Sequence, residues 1–171
     1  MDSPASTTPA APAVPASPGA ALKAARLAQA LRAEGHAVLL TREPGGTPAA
    51  EQLRAVLLKN NSESLAAETE AFVILAARRQ HVDHVIAPAL RQGAIVICDR
   101  FVDSTMAYQG YAQGLGRDKV EGLARAVLGE LKPDLTIVLD LPVESGLARE
   151  RAKDRYARMG EDFHRTVRDA F

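Results

Sequence analysis

Short apolar runs separate longer amphipathic stretches along most of this chain. The runs at residues 37–41, 94–98 and 135–139 are rich in valine, isoleucine and leucine and are bounded by polar or turn residues. A run this short and this apolar reads as a strand, and 94–98 in particular as one buried on both faces of a sheet. The stretches between them carry helical spacing. Residues 19–34 are alanine-rich, with Leu27 and Leu31 on one face beside Ala24 and Ala28, and Gly35 is a natural stop. Thr47 followed by Pro48 predicts a capped helix running to about Lys59, and residues 60–64 a turn. A long helical pattern covers 65–92 with a kink expected near Pro88, and another covers 118–128. Leu141 and Pro142 lead into a last helical region dense in arginine.

Strands alternating with helices predict an α/β fold, a parallel sheet with helices on both faces. Right-handed crossovers bring the carboxyl ends of the strands to one edge, where ligands of such sheets bind. The loops beginning at Arg42, Asp99 and Asp140 therefore share an edge.

Composition narrows the picture. Residues 1–18 are a low-complexity tract of Ala, Ser, Thr and Pro, with prolines at 4, 9, 12, 15 and 18. This spacing blocks a regular strand and predicts a disordered tail ahead of one domain over 19–171. Lys plus Arg and Asp plus Glu each number 21, so the formal net charge is zero, which argues against a nucleic-acid-binding surface. The single cysteine, Cys98, excludes an intrachain disulfide and reads as an inert buried thiol. No apolar run is long enough to span a bilayer and the N-terminus lacks the pattern of a secretion signal, so a cytoplasmic protein is expected, with no membrane partner.

The chemistry concentrates at 99–110. Asp99 and Arg100 follow the apolar run directly, and Ser104, Thr105, Tyr108 and Gln109 crowd what reads as one helical turn. A guanidinium is a planar fork suited to phosphate oxygens. Read alone, Asp99 and Arg100 equally suit a surface ion pair, and Arg54 and Arg78 suit solvated helix positions. His81 and His84 lie three apart with no further ligand nearby in sequence, and read as a satisfied or exposed pair rather than a metal site.

Four segments together change this balance: Thr41-Arg-Glu-Pro-Gly-Gly-Thr47, Arg78-x-Gln-His81, Cys98-Asp-Arg-Phe-x-Asp-Ser-Thr-x-Ala-Tyr-Gln-Gly110 and Leu131-Lys-Pro-Asp-Leu-Thr-x-x-Leu-Asp-Leu141. In order and spacing they resemble the bacterial thymidylate kinases, over roughly residues 19–171. The resemblance implies a P-loop-NTPase-like α/β fold, transfer of the ATP γ-phosphate to dTMP to give dTDP, Mg²⁺ with ATP, and a homodimer. It also implies residue roles. Arg100, helped by Arg54, would grip the dTMP phosphate, Asp99 would help hold magnesium, and Glu43 would lie near the acceptor phosphate and sugar. Arg78 would hydrogen-bond a thymine carbonyl, Thr105 and Gln109 would read the base edge, and Tyr108 would pack on the deoxyribose, with Ser104 supporting the turn. Arg149, Arg151 and Arg155 resemble lid arginines that neutralise the transferring phosphate.

The chain departs from this family in several places, among them Met159 and Gly160 where an acidic pair usually follows the Arg155 position. The family's central first strand and its G-x-x-x-x-G-K-[ST] loop have no counterpart beyond Gly19: Ala20 stands at the lysine position, Ala21 at the hydroxyl position, and Pro18 removes a backbone donor. Ile74 stands where the family has an aromatic that stacks on thymine. The sequence stops at Phe171, before the family's last strand and helix. A weak or inactive kinase is therefore expected. The alternative is a non-catalytic or truncated homologue that binds dTMP or an intact kinase subunit.

Overall fold

The apolar runs at 37–41 and 94–98 pair with each other. In the computed structural model, which describes residues 18–59, 64–149 and 155–171, they form β1 (Val38–Arg42) and β2 (Ile95–Asp99). The strands are parallel and in register from Val38 opposite Ile95 to Arg42 opposite Asp99, so both chains leave the sheet at the same edge. The expected tail over 1–17, most of the expected turn at 60–64, and Arg151 lie outside the described residues.

Helix α1 (Pro18–Ala33) packs on both strands. Its apolar stripe is narrower than the sequence pattern suggests: Ala28 is fully buried while Leu27 is exposed. Gly35, at φ +91°, reverses the chain after it, and the amides of Gly35 and His36 return to the carbonyls of Arg32 and Leu31. Helix α2 (Pro48–Leu58) begins as predicted, with the Thr47 hydroxyl accepting from the Ala50 amide and Pro48 in the first turn.

The single helix expected over 65–92 is three pieces. These are α3 (Ala67–His81), a π-helical turn (Val82–Ile86) and α4 (Ala87–Arg91). Pro88 has no N–H to return to the turn below it, so the α ladder cannot run on. The chain widens instead, and the Ala87 amide reaches back five residues to the Val82 carbonyl. The widened turn supplies Val82 and Ile86 to a core cluster with Leu128, against which Val96, Phe101 and Leu131 pack.

After β2 come α5 (Val102–Thr105), a second π segment (Met106–Ala112), and α6 (Arg117–Leu128). The C-terminal part holds α7 (Val143–Arg149), a 3₁₀ turn (Tyr156–Arg158) and α8 (Glu161–Asp169). Helix α8 packs on the second π segment and on α7. No helix among the described residues is long and apolar enough to cross a membrane.

Two expectations about strands need correction. The run at 135–139 is apolar enough for a strand but makes no ladder. Leu135, Ile137, Val138 and Leu139 are 76, 62, 51 and 46 % exposed. A strand exists only beside another, and among the described residues none lies next to this run. Nor is β2 buried on both faces: Ile95 is exposed and the rest of the strand is half-buried.

Candidate functional site

Beyond the carboxyl ends of β1 and β2 opens a cavity of about 1000 Å³. Its wall gathers segments far apart in sequence. Glu43 and Pro44 come from the loop after β1, Arg54 from α2, Ile74 and Arg78 from α3. Arg100, Ser104, Thr105, Tyr108 and Gln109 come from the turn after β2 and the helices that follow it. Gly19, Ala20 and Lys23 of α1 border it, as do Asp140 and Arg149. Asp99 and Arg155, singled out from the sequence, do not line it.

The floor is a buried ionic chain. The Arg78 Nε donates to Glu43 Oε2 at 2.5 Å, and Nη2 donates to the Phe101 carbonyl at 3.0 Å and to Thr105 Oγ1 at 3.1 Å. Its Nη1 is buried and has no hydrogen-bond partner. The guanidinium also lies 5.1 Å from the centre of the Phe101 ring. The other oxygen of Glu43, Oε1, meets His81 Nδ1 at 3.1 Å, and His81 Nε2 meets Thr41 Oγ1 at 2.7 Å. Arg78, Glu43 and His81 are each at most 2 % exposed. Buried charges of this kind persist only when paired and hydrogen-bonded, as these are.

The glycine pair in the loop shapes this floor. Gly46 sits at φ +90°, and a Cβ built there would overlap the His81 ring. Gly46→Ala is expected to lower the unfolding free energy by about 1–3 kcal/mol, the cost of a non-glycine residue in that backbone region, before the clash is added. Urea denaturation of the variant checks it. An unchanged midpoint would mean that the loop does not close on His81 as described.

Arg100 has φ +69°, the only non-glycine residue with a left-handed backbone among those described. Holding it there costs on the order of 1–3 kcal/mol, and such strain tends to sit at functional turns. The turn aims its guanidinium at Tyr108, 5.1 Å from the ring centre, with Nη2 3.4 Å from the phenol oxygen. Arg54 Nη1 donates to the Pro44 carbonyl at 2.9 Å, and Arg42 Nη1 donates to the same carbonyl at 2.9 Å.

A second buried carboxylate, Glu70, ties the C-terminal segment to the site. It is 1 % exposed. It accepts from Gln109 Nε2 at 3.0 Å, Gln113 Nε2 at 2.9 Å and the Tyr156 hydroxyl at 2.7 Å, and it pairs with Arg155. Arg155, expected over the transferring phosphate, is thus held by Glu70. Burial, and then the Glu70 carboxylate beside it, push the Tyr156 phenol well above its ordinary range.

Sequence reading missed Glu70 as a site residue. One signal was available: Glu70, Ile74, Arg78 and His81 recur at spacings of four, four and three, which places them on one face of α3. A charged stripe on a helix face that also holds Ala71 and Leu75 has to be paired internally. Phe72, by contrast, is exposed.

Glu43 and His81 together with Cys98 bring one ligand-capable atom each within 4.8 Å of one another. The Arg78 cation already occupies Glu43, and burial raises the Cys98 thiol well above its usual range, with the Glu43 carboxylate adding to the effect. Its S–H donates to the Arg100 carbonyl at 3.1 Å, so this cluster is closed to a dication.

Among the described residues, the donor end of the cavity lacks the lysine and hydroxyl of a G-x-x-x-x-G-K-[ST] loop. At α1 the described border residues are Gly19, Ala20 and Lys23, none of which carries a hydroxyl. Asp99 is not on the wall. Asp140 is, but both its oxygens are taken by Arg168, at 2.6 and 2.8 Å.

Comparison with known proteins agrees with the motifs. A family model described as thymidylate kinase matches residues 19–171. The chain is 54 % identical over 148 residues to the thymidylate kinase of Pseudomonas fluorescens (strain Pf-5), covering 85 % of this chain and 70 % of that one. It is 52 % identical, over the same length, to that of Pseudomonas putida (strain W619), of which it covers 72 %. The crystal structure of thymidylate kinase from Ehrlichia chaffeensis superimposes with a TM-score of 0.72 at 35 % identity, covering 90 % of this chain and 72 % of that one.

Proposed function

This chain belongs to the thymidylate kinase family, and from that premise we propose that it binds dTMP in the acceptor half of a nucleoside monophosphate kinase site, while phosphoryl transfer from ATP is weak or absent. One observation carries the reading: Arg54, Arg78 and Arg100 and the polar turn at 104–109 line one cavity. Arg100 and Arg54 supply fixed cationic donors for the monophosphate, and phosphoryl acceptors depend mostly on such positioning. Arg78 Nη1, buried and without a partner, donates to a thymine carbonyl. Ile74, 7 % exposed, offers apolar contact to the base in place of a stacked ring. Tyr108 closes over the sugar, with Ser104 and Thr105 beside it on the same turn.

ATP with Mg²⁺ is the donor that the family implies, and its bound metal would neutralise charge on the transferring group. The described residues at the donor end lack the lysine and hydroxyl of the G-x-x-x-x-G-K-[ST] loop, so no transfer step is assigned to this chain. Glu70 also withholds Arg155 from any phosphate in this arrangement.

Calorimetric titration separates the two halves. Binding of dTMP without binding of ATP·Mg²⁺ is expected, and the reverse result would end the reading. A coupled ADP-release assay with dTMP is expected to fall well below the ordinary kinase range of about 1–100 s⁻¹. Arg100→Ala is expected to weaken dTMP about 10–100-fold, the loss of hydrogen bonds to a charged group.

A further inference from the structure

We propose that His81 is a positioning residue for base selection: by holding Glu43, it fixes the carboxylate that aims Arg78 into the cavity. The inference rests on the reading of the cavity as a dTMP pocket. It assigns a role to a residue that lies outside that pocket, since His81 is not on its wall.

The argument follows the donors of one guanidinium. Arg78 commits Nε to Glu43 and Nη2 to Phe101 and Thr105. A guanidinium is planar and rigid, so pinning those two nitrogens fixes the direction of the third. That third nitrogen, Nη1, is the buried donor without a partner. Two of its anchors, Phe101 and Thr105, sit on the turn after β2. The remaining anchor, Glu43, sits on the loop between β1 and α2, and its Oε1 meets His81 Nδ1.

His81 is suited to that task. A carboxylate only accepts, so His81 Nδ1 carries the proton that points at Glu43. Nε2 then faces the Thr41 hydroxyl on β1 at 2.7 Å. The imidazole is fully buried and is roofed by the backbone of Gly46. A relay therefore runs from Thr41 through His81 and Glu43 to Arg78, joining the sheet to the base-reading donor. Removing His81 leaves Glu43 Oε1 without its partner and free to turn about its last torsion, which releases the Arg78 Nε.

The consequence is specific to the base. A fixed Nη1–H favours a pyrimidine with a carbonyl at position 4 and disfavours one with an amino group there, because donor would face donor. A loosened Arg78 loses that preference while Arg54 and Arg100 still hold the phosphate. The experiment is calorimetric titration of the full chain and its variants with dTMP and with dCMP. His81→Leu is expected to raise the dTMP dissociation constant about tenfold, to leave that for dCMP within about twofold, and so to erase most of the selectivity. His81→Asn, which restores a donor toward Glu43, is expected to recover it. Parallel weakening of both nucleotides, or unchanged selectivity, would overturn the proposal and leave His81 a structural residue only. Should His81→Leu fail to fold, Thr41→Val removes only the outer hydroxyl at nearly equal volume. A fall in selectivity of about threefold is then expected, and no fall overturns the proposal. A wild-type chain that binds neither nucleotide overturns the reading of the cavity itself.

Discussion

Arg78→Leu is expected to lower the unfolding free energy by about 3–5 kcal/mol and to weaken dTMP binding by at least about tenfold. The magnitude follows from what is left behind rather than from the pair itself. Breaking a buried ion pair by removing one partner strands the other charge in a medium that cannot solvate it. Here the stranded group is Glu43, 1 % exposed, with its Oε2 losing a 2.5 Å contact. The Phe101 carbonyl and the Thr105 hydroxyl lose their donor in the same step. Removing both charges tests the mechanism. Glu43→Leu combined with Arg78→Leu is expected to be less destabilised than the sum of the two single changes, by about 1–3 kcal/mol of coupling. Urea denaturation of the four proteins gives that coupling. Additive losses would show that the two side chains do not act as a buried pair.

Glu70→Leu is expected to cost about 2–4 kcal/mol and to loosen residues 156–169 from the rest of the domain. Gln109, Gln113, Arg155 and Tyr156 all donate to this one carboxylate, and three of the four are held by it across more than 40 residues of chain. The lower end of the range allows for Arg155, which is 17 % exposed and can turn to water. Hydrogen exchange across α8 is the readout, and unchanged protection there would refute the role. The same contact sets an alkaline limit. The Tyr156 phenol is neutral in the fold and its ionisation is pushed upward by burial and by Glu70. That stabilisation is fully present below the ordinary tyrosine range, about pH 10, and is lost as pH rises toward the raised value. Tyr156→Phe is expected to remove this part of the pH dependence while leaving neutral-pH stability lower.

Local pattern was enough for the ends of α1 and the start of α2, and for the strand pair. Thr47 with Pro48, and Gly35, marked boundaries that the structure keeps within a residue or two. The ends of β1 and β2 converge as parallel topology requires, and most residues singled out from motifs line one cavity. What failed was whatever depends on a neighbour. The apolarity of 135–139 says that a strand could form there, not that another lies beside it. The helix over 65–92 was judged by its period, which does not reveal that the turn before Pro88 widens. The partner that holds Arg155 here, Glu70, lies 85 residues away, beyond any local pattern. The left-handed backbone of Arg100 has no signature in a residue type that seldom adopts it.

The bare apolar run bears on how the protein behaves at high concentration. Leu135-Thr-Ile-Val-Leu139 is uncharged, free of proline and strongly inclined to extended structure, and it stands largely in solvent. Such a segment can template identical copies of itself into cross-β aggregates. Only Asp134 and Asp140 flank it as gatekeepers, and Arg168 already neutralises the second. Turbidity that grows with protein concentration, and that Ile137→Lys suppresses, is the behaviour this stretch should impose.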